Sequence, residues 1–298
     1  MGRLVVIANQ KGGVGKTTTA INLAVALAQT NRASANLPIL LIDLDPQGNA
    51  TSGLTPPAEL GGVKASRTTV YEAIVGRIPA TEALRRIREG IFLLPSGPDL
   101  VGAEVELAGV EGREMRLKKI LAPLRNEYSF ILVDTPPSLG LLTLNAMVAA
   151  DSILVPMQCE YYALEGLSAL LGTIARVRKF LNPALEMDGI VLTMFDSRNR
   201  LSHEIARDVN GHFPEKLFQS VIPRNVRLSE SPSHGLSVIE YDSKSAGAEA
   251  YQALAVEIVH RTGGAPASAP EPGAEQGRKS WNLRALFGRE TDRVRRSG

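Results

Sequence analysis

Apolar residues along this 298-residue chain come in short, nearly unbroken runs separated by longer stretches with helical spacing. Four runs, at 4–8, 39–42, 130–133 and 153–155, stop at polar or special residues: Asn9, Asp43, Asp134 and Pro156. Continuous rather than alternating hydrophobicity predicts central strands covered on both faces. Helices are predicted over 17–29, within the mixed region 69–87, and over 115–124, 143–149, 164–180, 201–210 and 245–260; further strands are predicted at 189–194 and around 220–222. Residues 31–37 offer little to a core and predict a loop on the side away from the ligand. The repeated βα order predicts an α/β fold with a mostly parallel central sheet flanked by helices. In such a sheet the ligand lies beyond the carboxyl ends of the strands, so one crevice gathers all four strand ends.

Composition changes this picture only at the end of the chain. With 44% apolar residues, the segment 1–260 is expected to form one domain with a substantial core. Residues 261–298 are expected to be a flexible Pro/Gly/Ala-rich linker and a short basic amphipathic tail. Net charge is +2, but from Arg261 onward there are eight Lys/Arg against four Asp/Glu, leaving 25 against 27 in the body. Any nucleic-acid footprint on the body is therefore a local patch. Cys159, the single cysteine, excludes a disulfide within one chain and is expected to pack in the core. The four histidines, His203, His212, His234 and His260, lack the paired spacing of a metal-binding helix. No apolar run approaches a membrane span and the amino terminus has no signal-peptide pattern, so the cytoplasm is the expected compartment.

The chemistry is concentrated after the first predicted strand, where Gln10, Lys11, Gly12, Gly13, Val14, Gly15, Lys16, Thr17 and Thr18 follow one another. Glycines at 12, 13 and 15 let successive N–H groups face inward, and a helix beginning near Lys16 adds its positive end to the same anion. Lys16 is expected to reach the β- and γ-phosphates of a bound triphosphate and Thr17 to place its hydroxyl on Mg²⁺. Lys11 is a second full charge that a plain phosphate loop does not need. It is expected to point away from its own ligand and to neutralise the phosphates held by a second copy of the chain.

Two acidic elements complete the expected site. Asp134, after the run 130–133 and before Thr135, Pro136 and Pro137, has the Walker B position and is expected to hold Mg²⁺, with the prolines and Gly140 shaping a switch that responds to the terminal phosphate. Asp43 and Asp45 share a face if their strand persists through 45. Asp45 is expected to orient or deprotonate the attacking water, and Asp43 to support the magnesium shell or the loop.

These residues resemble the ParA/Soj partitioning ATPases of the deviant Walker A group of P-loop NTPases, which also contains MinD and the nitrogenase iron protein. The matching stretches are 11–18, 43–49 and 134–137; the most discriminating runs from Ile222 through Pro223, Arg224, Asn225 and Arg227 to Gly235, and on to 241–248. The likeness covers about residues 4–260. It implies a chromosome- or plasmid-partitioning ATPase that forms a nucleotide-sandwich homodimer with Mg²⁺ and ATP. It further implies nonspecific double-stranded DNA binding by the dimer, location on the nucleoid, and release after hydrolysis stimulated by a ParB/Spo0J-like centromere-binding partner. By the same resemblance Lys11 acts across the dimer, Lys16, Thr17 and Asp45 take the catalytic and metal roles above, and the segment around Pro223 and Asn225 contacts adenine. A valine at Gly12 is expected to block productive dimerisation, because the two loops approach closely there.

Arg198 and Arg200 after one strand, and Arg224 and Arg227 after another, supply separated positive heads for a phosphate backbone, with Arg198 and Arg227 weighted highest. Tyr161 and Tyr162, beside Glu160, are expected to pack or to line the dimer face. The rival reading is a MinD-like membrane-associated ATPase, in which Trp281, Leu283, Leu286 and Phe287 of the tail enter a bilayer interface; Trp281 falls well away from the other three on a helical wheel, which makes a weak anchor. An iron–sulfur electron donor of the same superfamily is disfavoured by the single cysteine.

Overall fold

A computed structural model describes residues 2–31, 37–58, 68–263 and 283. Its strands are β1 (Arg3–Ile7), β2 (Ile39–Asp43), β3 (Arg85–Arg88), β4 (Ile91–Leu94), β5 (Phe130–Asp134), β6 (Ser152–Gln158), β7 (Glu186–Phe195) and β8 (Leu217–Pro223). They form one sheet in the order β3-β4-β2-β5-β1-β6-β7-β8, parallel throughout except for β3, which is antiparallel to β4. The helices, in chain order, are α1 (Lys16–Asn31), α2 (Asn49–Gly53), α3 (Val70–Val75), α4 (Ala80–Ala83), α5 (Val101–Glu106), α6 (Arg116–Leu121), α7 (Leu141–Ala149), α8 (Ala163–Phe180), α9 (Arg200–His212), α10 (Arg227–Glu230), α11 (Val238–Tyr241) and α12 (Ala246–Arg261).

Successive strand residues project to opposite faces, so Leu4 and Val6 enter one core while Val5 and Ile7 enter the other. The second core is closed by α1 and α12. Helix α1 is apolar nearly all round from Ala20 to Ala28, as a helix covered by both a sheet and another helix must be. The first core is closed chiefly by α3 and α5 to α9. On α9, Ser202, Ile205, Ala206 and Val209 form the buried stripe, and the Asn199 side chain accepts from Leu201 N–H at 3.0 Å to start the helix. Each fully buried Leu or Ile contributes about 1.5–3 kcal/mol, so the two cores dominate the stability of the sheet.

The structure departs from the sequence pattern at three places. Residues 85–87, expected within the mixed region 69–87 that predicts helix, form with Arg88 the edge strand β3; three arginines around Ile87 carry no strand signature. Gly90 (φ +75°) reverses the chain, and the Arg88 guanidinium donates to Glu240 and to the carbonyls of Leu54 and Gly235. Residues 115–124 are broken into α6 with a 3₁₀ turn on each side. Strand β6 does not stop before Pro156 but continues to Gln158. The missing N–H of Pro156 lies on the β1 side, where β1 has already ended, and its carbonyl accepts from the Asn9 side-chain amide at 2.7 Å.

Most of the expected loop at 31–37, nearly all of the linker, and the tail lie outside the described residues, Leu283 excepted. Leu283 is 2% exposed and belongs to the first core.

Candidate functional site

Strand β1 sits between β5 and β6, the point at which the chain winds to opposite sides of the sheet, so the β1–α1 loop opens into the crevice at the strand ends. The loop is folded by its own residues. Asn9 Oδ1 accepts from Lys11 N–H at 3.0 Å, and Gly13 and Gly15 adopt φ of +73° and +86°, where a Cβ would be strained. Helix α1 then begins at Lys16, leaving its first N–H groups directed at the crevice.

A cavity of about 550 Å³ occupies the crevice. One wall is Gly12, Gly13, Gly15, Lys16, Thr17 and Thr18; Asp45 and Pro137 stand beside them, and Pro223, Arg224 and Asn225 form the far wall. The structure thus brings together the phosphate loop, the expected water-orienting aspartate and the expected adenine segment from opposite ends of the chain. Lys16 is buried and donates to the Lys11 carbonyl at 3.1 Å. Burial lowers its pKa, opposed by the charges of Asp134 and then Asp45.

Asp43 and Asp134 are register partners on β2 and β5, both completely buried, so two carboxyls stand side by side at adjacent strand ends. Desolvation pushes Asp43 up to about 6. Asp134 is also raised, well above the usual carboxylate range, by burial and then by the Asp43 charge, with the Thr17 hydroxyl moderating the rise. Asp43 is occupied: it accepts from Thr51 N–H and Thr51 Oγ1, each at 2.8 Å, and from Asp45 N–H at 3.2 Å. Among the described residues none makes a hydrogen bond to either oxygen of Asp134, and the Thr17 hydroxyl tempers its charge only in part. A buried carboxylate without a partner is costly, and a cation beside it removes that cost. Strand β2 ends at Asp43, so the shared-face arrangement of Asp43 and Asp45 does not form; Asp45 instead turns the chain by accepting from Gln47 N–H at 2.9 Å. Among the described residues no cluster of three or more His, Cys, Asp or Glu side chains could hold a metal. The donor set suits an ion that keeps phosphate and water oxygens, as Mg²⁺ does.

Lys11 does not line the cavity. Its ammonium pairs with Glu160, just beyond β6, on a half-exposed surface with Tyr161 and Tyr162, which are 78% and 65% exposed and stacked edge to face. Gln10 lies between Asn9 and this pair and is half-buried. Among the described residues a Cβ on Gly12 would meet only Pro137 Cβ, at an ordinary 3.9 Å, so none of them demands glycine there.

Arg198 and Arg224 lie in the segments after β7 and β8, and Arg200 and Arg227 open the helices α9 and α10 that follow; the two segments are joined where Arg224 N–H donates to the Phe195 carbonyl at 3.1 Å. Arg198 forks onto Asp196 at 3.0 and 2.9 Å and, chiefly through those bonds, lowers that carboxyl to about 2. Arg200 pairs with Glu204, and Arg227 with Glu230 and Asp242. Such exposed pairs are worth about 0–1 kcal/mol and exchange readily for another anion.

Sequence reasoning passed over several site residues. Thr193 and Met194 end β7 inside the cavity wall, and their apolar surroundings read only as strand. Ser96 donates from N to Thr51 Oγ1 and from Oγ to the Asp45 carbonyl, bracing the Asp45 loop. Glu160 had a legible signal, an acid beside two tyrosines at the end of a strand, but its partner was not.

A family model for an AAA domain matches residues 2–187. The chain is 52% identical over 264 residues to the chromosome partitioning protein ParA of Myxococcus xanthus, covering 88% of this chain and 89% of that one. It is 47% identical over 260 residues to the sporulation initiation inhibitor protein Soj of Bacillus subtilis, covering 87% and 98%. The crystal structure of cobyrinic acid a,c-diamide synthase from Mycobacterium smegmatis with bound ADP and magnesium has a TM-score of 0.73 at 37% identity, covering 88% of this chain and 96% of that one. A glycine loop at the sheet's switch point, a second lysine five residues before the loop lysine, and identity sustained along the whole body agree: the chain belongs to the ParA/Soj family, in the deviant Walker A group of P-loop NTPases.

Proposed function

We propose that this protein is an ATP-dependent DNA-partitioning ATPase whose Mg²⁺-ATP-bound homodimer holds DNA without sequence preference and lets go after hydrolysis. The observation that carries the reading is the orphaned carboxylate of Asp134 beneath a glycine loop, a buried lysine and Asp45 in one cavity. ADP and magnesium bound to the mycobacterial structural relative support the same ligands here.

In this reading Asp134 and the Thr17 hydroxyl hold Mg²⁺, which when bound draws charge from the phosphate oxygens. Lys16 and the N–H groups of residues 13–18 neutralise and orient the phosphates. Asp45 aligns a water in line with the γ-phosphorus; the new P–O bond forms as the bond to the β–γ bridging oxygen breaks, and the water's proton leaves through Asp45 or the departing phosphate. Lys11 of each copy serves the other's triphosphate, which requires it to leave Glu160. Spare room at Gly12 within one chain supports a constraint imposed by a second chain. Pro223 and Asn225 flank the base. Arg198, Arg200 and Arg227 trade their carboxylates for DNA phosphates, Arg224 adds a fourth positive head, and a ParB/Spo0J-like partner stimulates turnover of the protein on the cytoplasmic nucleoid.

The burial of Leu283 favours this reading over a membrane-anchored one, because it withdraws one of four apolar tail residues from a lipid-facing role. Among the described residues no helix is long and apolar enough to cross a membrane. The test is fluorescence anisotropy of a nonspecific DNA duplex titrated with the full chain in ATP, ADP or no nucleotide. Tight, salt-sensitive binding in ATP alone is expected; equal affinity in all three conditions overturns the proposal.

A further inference from the structure

We propose that Thr193 is a positioning residue of the phosphate loop, fixing the Val14 carbonyl outward from the end of β7 and thereby presenting the Gly15 amide to a bound phosphate. The inference rests on reading residues 12–18 as a triphosphate cradle. Thr193 Oγ1 donates to the Val14 carbonyl at 2.8 Å across 179 residues of sequence, and both residues are buried. The Val14 carbonyl and the Gly15 N–H belong to one trans peptide unit and point in opposite directions. Whatever holds the carbonyl against β7 therefore turns the N–H toward the cradle.

A loop rich in glycine needs such a hold. Gly13 and Gly15, at φ +73° and +86°, have no Cβ to hinder rotation of the peptide planes between them, and Val14 is the one residue between them. Thr193 grips this unit with both branches of its side chain. The hydroxyl takes the Val14 carbonyl, and the methyl side lies against the loop, 3.9 Å from where a Gly15 Cβ would stand. The next residue, Met194, has φ +47°, the only positive φ outside glycine among the described residues. A residue with a Cβ adopts that conformation only when its surroundings enforce it. Here it bends the end of β7 so that Thr193 and Met194 both line the cavity, while the Phe195 carbonyl stays bound to Arg224 N–H. The bend thus sets the hydroxyl at the height of the loop, two strands away from β1.

The alternative is that Thr193 only satisfies a buried carbonyl and matters for folding. The two roles part when ligands with and without phosphates are compared. Wild type, Thr193→Val, Thr193→Ala and Thr193→Ser are titrated with Mg²⁺-ATP by equilibrium dialysis and with adenosine by ligand-detected NMR. Valine keeps the branched shape and lacks the donor; serine keeps the donor. The expected result is ATP affinity about tenfold weaker in the valine variant, the equivalent of one lost hydrogen bond, with adenosine affinity unchanged and serine within about twofold of wild type. If the valine variant does not fold, alanine carries the same comparison. Wild-type ATP affinity in the valine or alanine variant, or equal losses for ATP and adenosine, overturns the role of Thr193 alone. A wild-type protein that binds no ATP overturns the cradle reading, and this inference with it.

Discussion

Replacing Asp43 with asparagine should change how the stability of the nucleotide-free protein depends on pH. Asp43 is completely buried, and desolvation lifts its carboxyl from 3.8 to about 6 against the pull of the Thr51 and Asp45 donors. Because the folded protein binds this proton more tightly than the unfolded chain, the contribution is fully favourable below about pH 3.8, is lost as pH rises toward 6, and is constant above that. A shift of roughly two units corresponds to about 3 kcal/mol at 1.36 kcal/mol per unit. The amide removes this penalty, at a constant cost of about 1 kcal/mol for one acceptor that Thr51 and Asp45 no longer share. Removing the Asp43 charge also relieves Asp134, so the change measured belongs to the pair. Urea unfolding of both proteins at about pH 4, 6 and 7.5 should show the variant gaining about 2.5 kcal/mol on wild type between the extremes, most of the full effect, and subtracting the two curves cancels every titrating group outside the Asp43–Asp134 pair. A difference constant to within about 0.5 kcal/mol across that range would refute the buried-pair argument.

Lys16→Ala should lower ATP affinity by about 10- to 100-fold in equilibrium dialysis, the loss of a charge-assisted contact. Lys11→Ala should leave ATP binding to single chains nearly intact but abolish ATP-dependent dimers in light scattering, whereas Glu160→Gln, which frees Lys11, should shift dimerisation to lower ATP concentration; no shift would show that the Glu160 pair does not restrain Lys11. Asp45→Ala should accumulate an ATP dimer that keeps its grip on DNA, and a monomer in ATP would contradict the role given to Asp45. Arg198→Ala should weaken binding equally across DNA sequences and reduce the slope of log K against log salt by about 0.9.

Much of the candidate site was legible because its residues lie at strand ends in local motifs. The glycine loop, Lys16, Asp45 and Asp134 are each announced by an apolar run and a change of residue type, and the parallel sheet delivers them to one end, the first three lining the cavity and Asp134 buried at the end of β5. Contacts made across the sequence were not legible. Thr193 reads as one more β-branched strand residue until its hydroxyl is seen on Val14, and Glu160 reads as a surface acid until Lys11 is seen beside it. The roles of Asp43 and Asp134 also separate only in three dimensions: adjacent strands in register make them neighbours, yet Thr51 occupies one and leaves the other bare. Strand β3 escaped because its pairing is secured by Arg88 reaching Glu240, Leu54 and Gly235, a tertiary tie that outweighs weak local propensity.

The arginines of β3 have a consequence for how copies of this protein can meet. An open sheet border invites another chain to add itself as a further strand, and repeated addition leads to aggregates. At this border the short antiparallel strand carries Arg85 and Arg86 beside the Glu240-paired Arg88, so a second copy approaching side by side would bring like charge against like charge.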